Sequence, residues 1–388
     1  MNSIQRSVIV ALVLVAMPHI AAAQTRDWDD LADDIARRVE RQVDQIARHV
    51  ERQADQIARR VEIQADQFAK FVEQRFEAQG RRGGGGGGGF GRGPEYTENF
   101  SRTVRLGRNG TLDLQNVAGD ITVTGGGGDD VKIDAVKRVR HPNETEGKAL
   151  LSEITIEVAD RSGRVEVRTE YPRRRNWSGG VDFTVSVPRD ASVALRSVSG
   201  NVKVTNINGE LRAESVSGDI VTMTTKKLRW AKTVSGDVDV SEAEADELSV
   251  GSVSGDVTVN RLKGSGFDAQ TVSGDLRLTD VDFDHASLRS VSGDIDYAGR
   301  LARNGRYQFQ SHSGDIRVTP ADSKGFAIEA STFSGDVRSD YALTLQSSPG
   351  NSLAPGPGRN RAVRGSFGDA GATLTLQSFS GDIVLVKR

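Results

Sequence analysis

Six short stretches decide how this chain folds: SVSGN at Ser197–Asn201, SVSGD at Ser215–Asp219, TVSGD at Thr233–Asp237, SVSGD at Ser252–Asp256, TVSGD at Thr271–Asp275 and SVSGD at Ser290–Asp294. Four relatives extend the series: NVAGD at Asn116–Asp120, SHSGD at Ser311–Asp315, TFSGD at Thr332–Asp336 and SFSGD at Ser378–Asp382. From Gly200 to Gly335 the motif glycines are separated by 18, 18, 19, 19, 19, 21 and 21 residues. A unit this short cannot bury a core by itself and must stack on its neighbours.

The residues around each motif say how they stack. Before it, apolar residues alternate, as in Val193 and Leu195, Leu248 and Val250, Phe267 and Ala269, or Tyr307 and Phe309. After it they alternate again, as in Val202 and Val204, Val238 and Val240, Leu276 and Leu278. Period two marks half-buried strands, and the two runs are out of phase. An unbroken strand cannot change phase without turning its core face to water, so a corner is expected between the motif's first Ser or Thr and the residue after it. Glycine supplies the permissive backbone there, and Asp supplies a local hydrogen bond. Each repeat then reads as two short strands around a corner, closed by a variable turn such as Lys263-Gly264-Ser265-Gly266. The expected fold is mostly β: a parallel β-solenoid of SGD repeats of about 19 residues, with coils about 4.8 Å apart.

Composition agrees with a thin repetitive core, since 388 residues include 43 glycines, 5% aromatic and only 36% apolar residues. The formal charge of −2 gives no overall field to draw nucleic acid or an anionic membrane, so no nucleic-acid partner is expected. There is no cysteine, hence neither disulfide nor lipidated N-terminal Cys.

Residues 1–23 carry Arg6, an apolar run from Val8 to Met17, and Ala21-Ala22-Ala23, the layout of a cleaved secretory signal. Residues 24–79 contain an eleven-residue repeat from Leu31 to Phe76, which places Ala32, Ile35, Ala36, Val39 and their equivalents on one helical face. The pattern predicts a long amphipathic helix of nearly straight apolar stripe. Self-association through 31–76 and peripheral membrane contact both remain open, with Phe68, Phe71 and Phe76 the candidate contact residues. Residues 80–94, with seven consecutive glycines from Gly83 to Gly89, read as a flexible tether.

Residues 95–190 read as a β-rich entry and capping region, with strands near Leu112, Ile121, Val131 to Ile133, Val165 to Val167 and Phe183 to Val187. A short helix is expected after Asn143, with Glu146 completing a capping box. The solenoid is expected to occupy 191–388. The Pro/Gly-rich stretch Ser347 to Gly365 reads as a surface loop interrupting the last repeat.

The segments LGRNGTLDLQNVAGDITVTGGGGDDVKIDAVKRVR from Leu106, VDFTVSVPRDASVALRSVSGNVKV from Val181 and GATLTLQSFSGDIVLV from Gly371 resemble the DUF4097-type β-rich domain, a bacterial putative-adhesin family of unknown function. The likeness runs over about 95–388 and implies a β-helix-like fold in an exported or envelope-associated bacterial protein, with no established catalytic residues.

The motif aspartates raise one chemical question. Stacked in register, like charges near 5 Å repel. Turn hydrogen bonds and basic neighbours such as Arg277, Arg317 and Arg338 are one answer. A row of bound Ca²⁺ on Asp219, Asp237, Asp256, Asp275 and Asp294 is the other, although the motif lacks the longer calcium-binding β-roll signature. No other cofactor is indicated. The five histidines are scattered without ligand spacing, and every motif Asp belongs to the repeat, so no catalytic residue is expected. Arg173, Arg174, Arg175 and Trp177 form a basic and aromatic patch that could grip a polyanion or glycan, or be an ordinary solvated loop.

The leading expectation is a non-enzymatic, adhesin-like interaction protein of the periplasm or cell surface, meeting an envelope protein or a surface glycan. An envelope-stress regulator whose helix senses membrane or peptide, and a carbohydrate-active β-helix enzyme, are the competing classes.

Overall fold

The computed structural model describes residues 93–172, 177–321, 324–345 and 361–387. The leader, the eleven-residue repeat with Phe68, Phe71 and Phe76, the glycine tether up to residue 92, and Arg173 to Arg175 lie outside the described residues.

Alternating apolar residues make long strands here. They are β1 (Glu95–Arg105), β2 (Thr111–Ala118), β3 (Ile121–Gly126), β4 (Asp130–Arg140), β5 (Thr155–Arg161), β6 (Arg164–Glu170), β7 (Ser178–Pro188) and β8 (Ser192–Ser199). Then follow the repeat strands β9 (Val202–Ser217), β10 (Ile220–Lys232), β11 (Val238–Ser254), β12 (Val257–Ser273), β13 (Leu276–Ser292), β14 (Ile295–Ser313) and β15 (Ile316–Ala321). The chain finishes with β16 (Gly325–Ser334), β17 (Val337–Ser339), β18 (Thr344–Leu345), β19 (Arg361–Gly368), β20 (Ala372–Ser380) and β21 (Ile383–Leu385).

Successive rungs pair in parallel and in register. Val202, Ile220, Val238, Val257, Leu276, Ile295 and Ile316 form one column, and Leu195, Ala213, Ala231, Val250, Ala269, Leu288 and Phe309 form the facing one. Nearly all these side chains are fully buried, so one continuous apolar core runs the length of the stack. The parallel solenoid expected from the repeat is present, and it begins within the entry region, because β2 and β3 stack on β8 and β9 around Gly119.

The corner differs from expectation by a few residues. Core parity continues through the motif's first Ser or Thr, which is buried: Ser197, Ser215, Thr233, Ser252, Thr271 and Ser290 all point into the core side. The following Val198, Val216, Val234, Val253, Val272 and Val291 are only half-buried. The phase therefore changes at the Ser-Gly-Asp step. At Gly255, φ is +150° and an added Cβ would lie 2.0 Å from the Gly236 carbonyl oxygen of the rung before. Both backbone conformation and close approach demand glycine there.

The return bend is also displaced. Lys263 and Gly264 lie within β12, paired with Asp282 and Phe283, so no turn interrupts the strand at that point. The chain bends instead six residues after five successive motif glycines, Gly200 to Gly274, at Asn206, Thr224, Glu242, Arg261 and Asp280, all with φ between 53° and 61°. Left-handed backbone at non-glycine residues costs about 1 kcal/mol or more each. Stacking identical bends lets the flanking ladders continue across every rung, which offsets that cost.

Both ends are covered. At the N-terminal end β6 lies beside β2 and is flanked by antiparallel β5, while β7 lies beside β3 and is flanked by antiparallel β4 and β1. Helix α1 (Glu144–Glu153) packs on β4 and β1, with the Asn143 side chain accepting the Glu146 N–H at 3.3 Å. Only half of the capping box forms, since the Asn143 N–H goes to His141.

At the other end the rungs leave sequence order. β20 lies between β14 and β16, and β21 lies between β15 and β17. The Gly381 rung is thus inserted between the Gly314 and Gly335 rungs. β19 closes that end, antiparallel to β16, so residues 361–365 of the expected loop are strand and the described part of it caps the core.

Candidate functional site

Two sets of side chains tie the corners of neighbouring rungs: a row of buried hydroxyls, in which those of Ser215 and Ser290 make no hydrogen bond, and an unbroken row of carboxylates and Asn201. In the first, the buried Ser or Thr donates to the glycine carbonyl of the preceding rung: Thr233 to Gly218 at 3.0 Å, Ser252 to Gly236 at 2.9 Å, Ser378 to Gly314 at 3.1 Å and Thr332 to Gly381 at 2.9 Å. A buried hydroxyl thus satisfies a carbonyl that the turn would otherwise leave exposed to the core.

The second ladder uses the aspartates. Each Asp backbone N–H donates to the Oδ1 of the Asp before it: Asp237 to Asp219 at 2.9 Å, Asp256 to Asp237 at 2.8 Å, Asp275 to Asp256 at 2.8 Å, Asp294 to Asp275 at 2.9 Å and Asp315 to Asp294 at 2.8 Å. Asn201 serves the same way, accepting the Asp219 N–H at 2.9 Å. The ladder follows space, passing from Asp315 to Asp382 and then to Asp336. Charge-assisted bonds from fixed donors hold this row of like charges together, helped by Arg277, which bonds Asp256 at 3.2 Å and Asp275 at 2.6 Å.

Arg317 instead faces Asp296 at 3.9 Å, and Arg338 faces Asp336 at 3.2 Å. Burial and the charges of the column act together on the acids beside it. Burial, then the charges of Asp237 and Asp219, raise the pKa of Asp239. Burial likewise raises that of Asp296, with Arg317 opposing.

This arrangement bears on calcium. Asp219, Asp237, Asp256, Asp275 and Asp294 each commit one carboxylate oxygen to a neighbouring N–H, and they form a single line along an exposed corner. Among the described residues no group of three or more His, Asp or Glu side chains is placed to hold a metal ion.

The N-terminal end of the ladder joins the Asn116–Asp120 motif to residues outside the series. Asp182 on β7 accepts the Asp120 N–H at 3.0 Å and is paired with Arg138. Asn116 takes the place of the Ser or Thr, donating to the Val181 carbonyl at 2.7 Å. The Tyr171 hydroxyl lies 3.0 Å from Asn116 Oδ1 and 2.9 Å from the Ala118 carbonyl, and burial pushes its pKa up. Trp177 stacks on Tyr171 with centroids 6.0 Å apart and packs against the core, so this member of the basic and aromatic patch helps form the cap. A shallow groove of about 410 Å³ beside it is lined by Glu95, Arg138, Arg140 and Asp182, whose charges pair with one another.

Outward-facing side chains vary from rung to rung. Arg212 lies over the Trp230 ring at 4.7 Å, and Trp230 Nε1 donates to Glu214 at 2.8 Å. At the C-terminal end His312, Phe379 and Phe333 stack at 4.9 Å intervals in the half-buried row that is valine elsewhere.

Fold and corner together define a parallel β-solenoid whose rungs are tied by hydroxyl-to-carbonyl and carboxylate-to-amide ladders. The chain belongs to the Toastrack DUF4097 family, whose model matches residues 109–385. No curated protein matches it. Similar solved structures include a putative adhesin from Bacteroides fragilis, at 14% identity, covering 74% of this chain and 97% of that one with a TM-score of 0.38. Others are a putative adhesin from Parabacteroides merdae, at 9% identity, 74% and 96% coverage and a TM-score of 0.40, and a putative lipid binding protein from Parabacteroides distasonis, at 12% identity, the same coverages and a TM-score of 0.41.

Proposed function

We propose that the protein is a non-enzymatic, exported interaction protein of the cell envelope or surface, which holds a rigid β-solenoid toward an envelope protein or surface glycan. The observation that carries this reading is the use made of the repeat's reactive-looking groups. The motif aspartates are engaged with the neighbouring rung, so their chemistry serves rigidity. What differs between rungs is the outer side chains, the pattern of a scaffold that presents a surface. Residues 1–23, with the layout of a secretory leader, support export. No helix among the described residues is long and apolar enough to cross a membrane.

The test is binding by the immobilised full chain to purified envelope glycans and envelope proteins, alongside a variant in which Arg212 and Trp230 are replaced by Ala. Saturable binding weakened in the variant, with no change in the glycan's length, is the expected result. Cleavage of a polysaccharide that disappears when one motif Asp alone is changed would overturn the reading.

A further inference from the structure

At the bend remote from the glycine corner, the sign of the charge reverses at every rung. Glu244 pairs directly with Lys263, Lys263 with Asp282, and Asp282 with Arg300. Their neighbours share the sign of the rung. Asp246 and Glu247 accompany Glu244, Asp284 accompanies Asp282, and Arg303 and Arg306 follow Arg300. One rung earlier, Lys226 and Lys227 follow Thr225, which pairs with the residue before Glu244. All of these side chains are exposed except Asp282, which is half-buried.

Part of this charge is cancelled within the stack. Arg261 bonds Glu242 at 2.7 Å, and Arg300 bonds Asp282 at 3.4 Å. Among the described residues, however, no ion pair takes up Glu244, Asp246, Glu247, Lys263 or Asp284. The edge is left with a striped field, one sign per rung, at a pitch of about 4.8 Å.

A striped field selects its partner. A uniformly charged polymer laid along the edge would meet repulsion at every second rung, so a polyanion is disfavoured. A second copy of the same edge is complementary under one condition. A two-fold axis passing between adjacent rungs sets each rung against one an odd number of steps away, which always carries the opposite sign. An axis through a rung sets like against like. Such a contact is isologous and closes on itself.

We propose that this edge binds a second copy of the chain, antiparallel, about a two-fold axis that passes between rungs, with Lys263 facing an acidic rung of the other copy. The charge stripe alone carries this, whatever the envelope partner. If the axis lies between the Glu244 and Lys263 rungs, Lys263 meets Glu244 of the second copy. If it lies between the Lys263 and Asp282 rungs, it meets the Asp282 and Asp284 rung.

Sedimentation of the full chain at about 50 and about 500 mM salt tests this, with K263E, E244K and D284K as variants. Dimer at low salt should dissociate at high salt, as screening shortens to a few ångströms. K263E, which sets acid against acid in either register, should weaken the dimer roughly tenfold or more. Mixing K263E with E244K should restore association for the first axis, and mixing it with D284K for the second. Rescue on mixing cannot arise from a folding defect in either variant. A chain monomeric at both salt concentrations, a dimer indifferent to K263E, or failure of both mixtures would each overturn the proposal.

Discussion

Replacing Asp237 separates the two things a ladder carboxylate does. Its Oδ1 accepts the Asp256 N–H at 2.8 Å, and its charge lies one rung from Asp219 and Asp256. Asp237→Ala removes the acceptor. A hydrogen bond to a charged group is worth about 1.5–3 kcal/mol, and exposure of this corner discounts that to about 1–2 kcal/mol. Asp237→Asn keeps the acceptor, as Asn201 shows by accepting the Asp219 N–H.

The Asn variant also removes two like-charge contacts, each worth about 0.9 kcal/mol at 4.8 Å in water before screening. Asn should therefore be neutral or stabilising by a few tenths of a kcal/mol, against a clear loss for Ala. Urea denaturation of both variants gives the comparison, read as the midpoint shift at constant slope. A second readout comes from Asp239, whose raised pKa owes part of its rise to Asp237 and should fall in D237N when followed by NMR titration. Equal destabilisation by Asn and Ala would refute the ladder as an acceptor device and make charge the important property.

The geometry fixes the outcome of four other substitutions. Gly255→Ala brings a Cβ to 2.0 Å from a backbone oxygen that cannot move aside, and should cost about 3 kcal/mol or more. Gly127→Ala, where nothing lies within 4 Å, should leave the melting temperature unchanged. Asp239→Asn should stabilise the protein at neutral pH. A carboxyl whose folded pKa is raised penalises folding fully above that pKa, and the penalty vanishes below the unfolded value near 3.8. The gain should therefore shrink as pH falls toward that value, and a gain that grew on acidification would contradict the sign. Tyr307→Phe leaves the Phe283 carbonyl and the Ala302 N–H without their 2.5 and 2.8 Å partner, costing about 1–3 kcal/mol in chemical denaturation. In the intact protein that hydroxyl, pushed up to about 12, should stay un-ionised through pH 10 by ultraviolet titration.

Much of this was readable from residues because glycine and parity leave local marks. Val193, Leu195, Val202 and Val204 alternate about a glycine, and only a corner reconciles their phases. A corner between Ser197 and Val198 falls slightly early, since a buried Ser197 carries no apolar signature until its carbonyl partner is known. The return bend left no mark at all: Asn206, Thr224, Glu242, Arg261 and Asp280 share a conformation but no chemistry. The insertion of the Gly381 rung was equally hidden, because every rung carries the same motif and none states its neighbour. For the site, the aspartate column was visible at once, while its role depended on the N–H of the following rung. Asp182, Asn116 and Tyr171 lie far apart in the chain, and only folding brings them to one end. Part of the alternating stripe could have been found by aligning on the motif glycines, since Glu244, Lys263 and Asp282 each follow theirs by eight residues, whereas Arg300 follows Gly293 by seven and joins the column only through a register shift.

The misplaced rung near the C-terminal end has a bearing on how the molecule is made. Residues 325–339 emerge from synthesis before residues 372–385, yet the later segment lies between them and the Gly314 rung. Assembly therefore cannot proceed as a simple winding from first coil to last. The Gly335 unit must wait, or settle on Gly314 and be displaced, until the strand that belongs between them arrives.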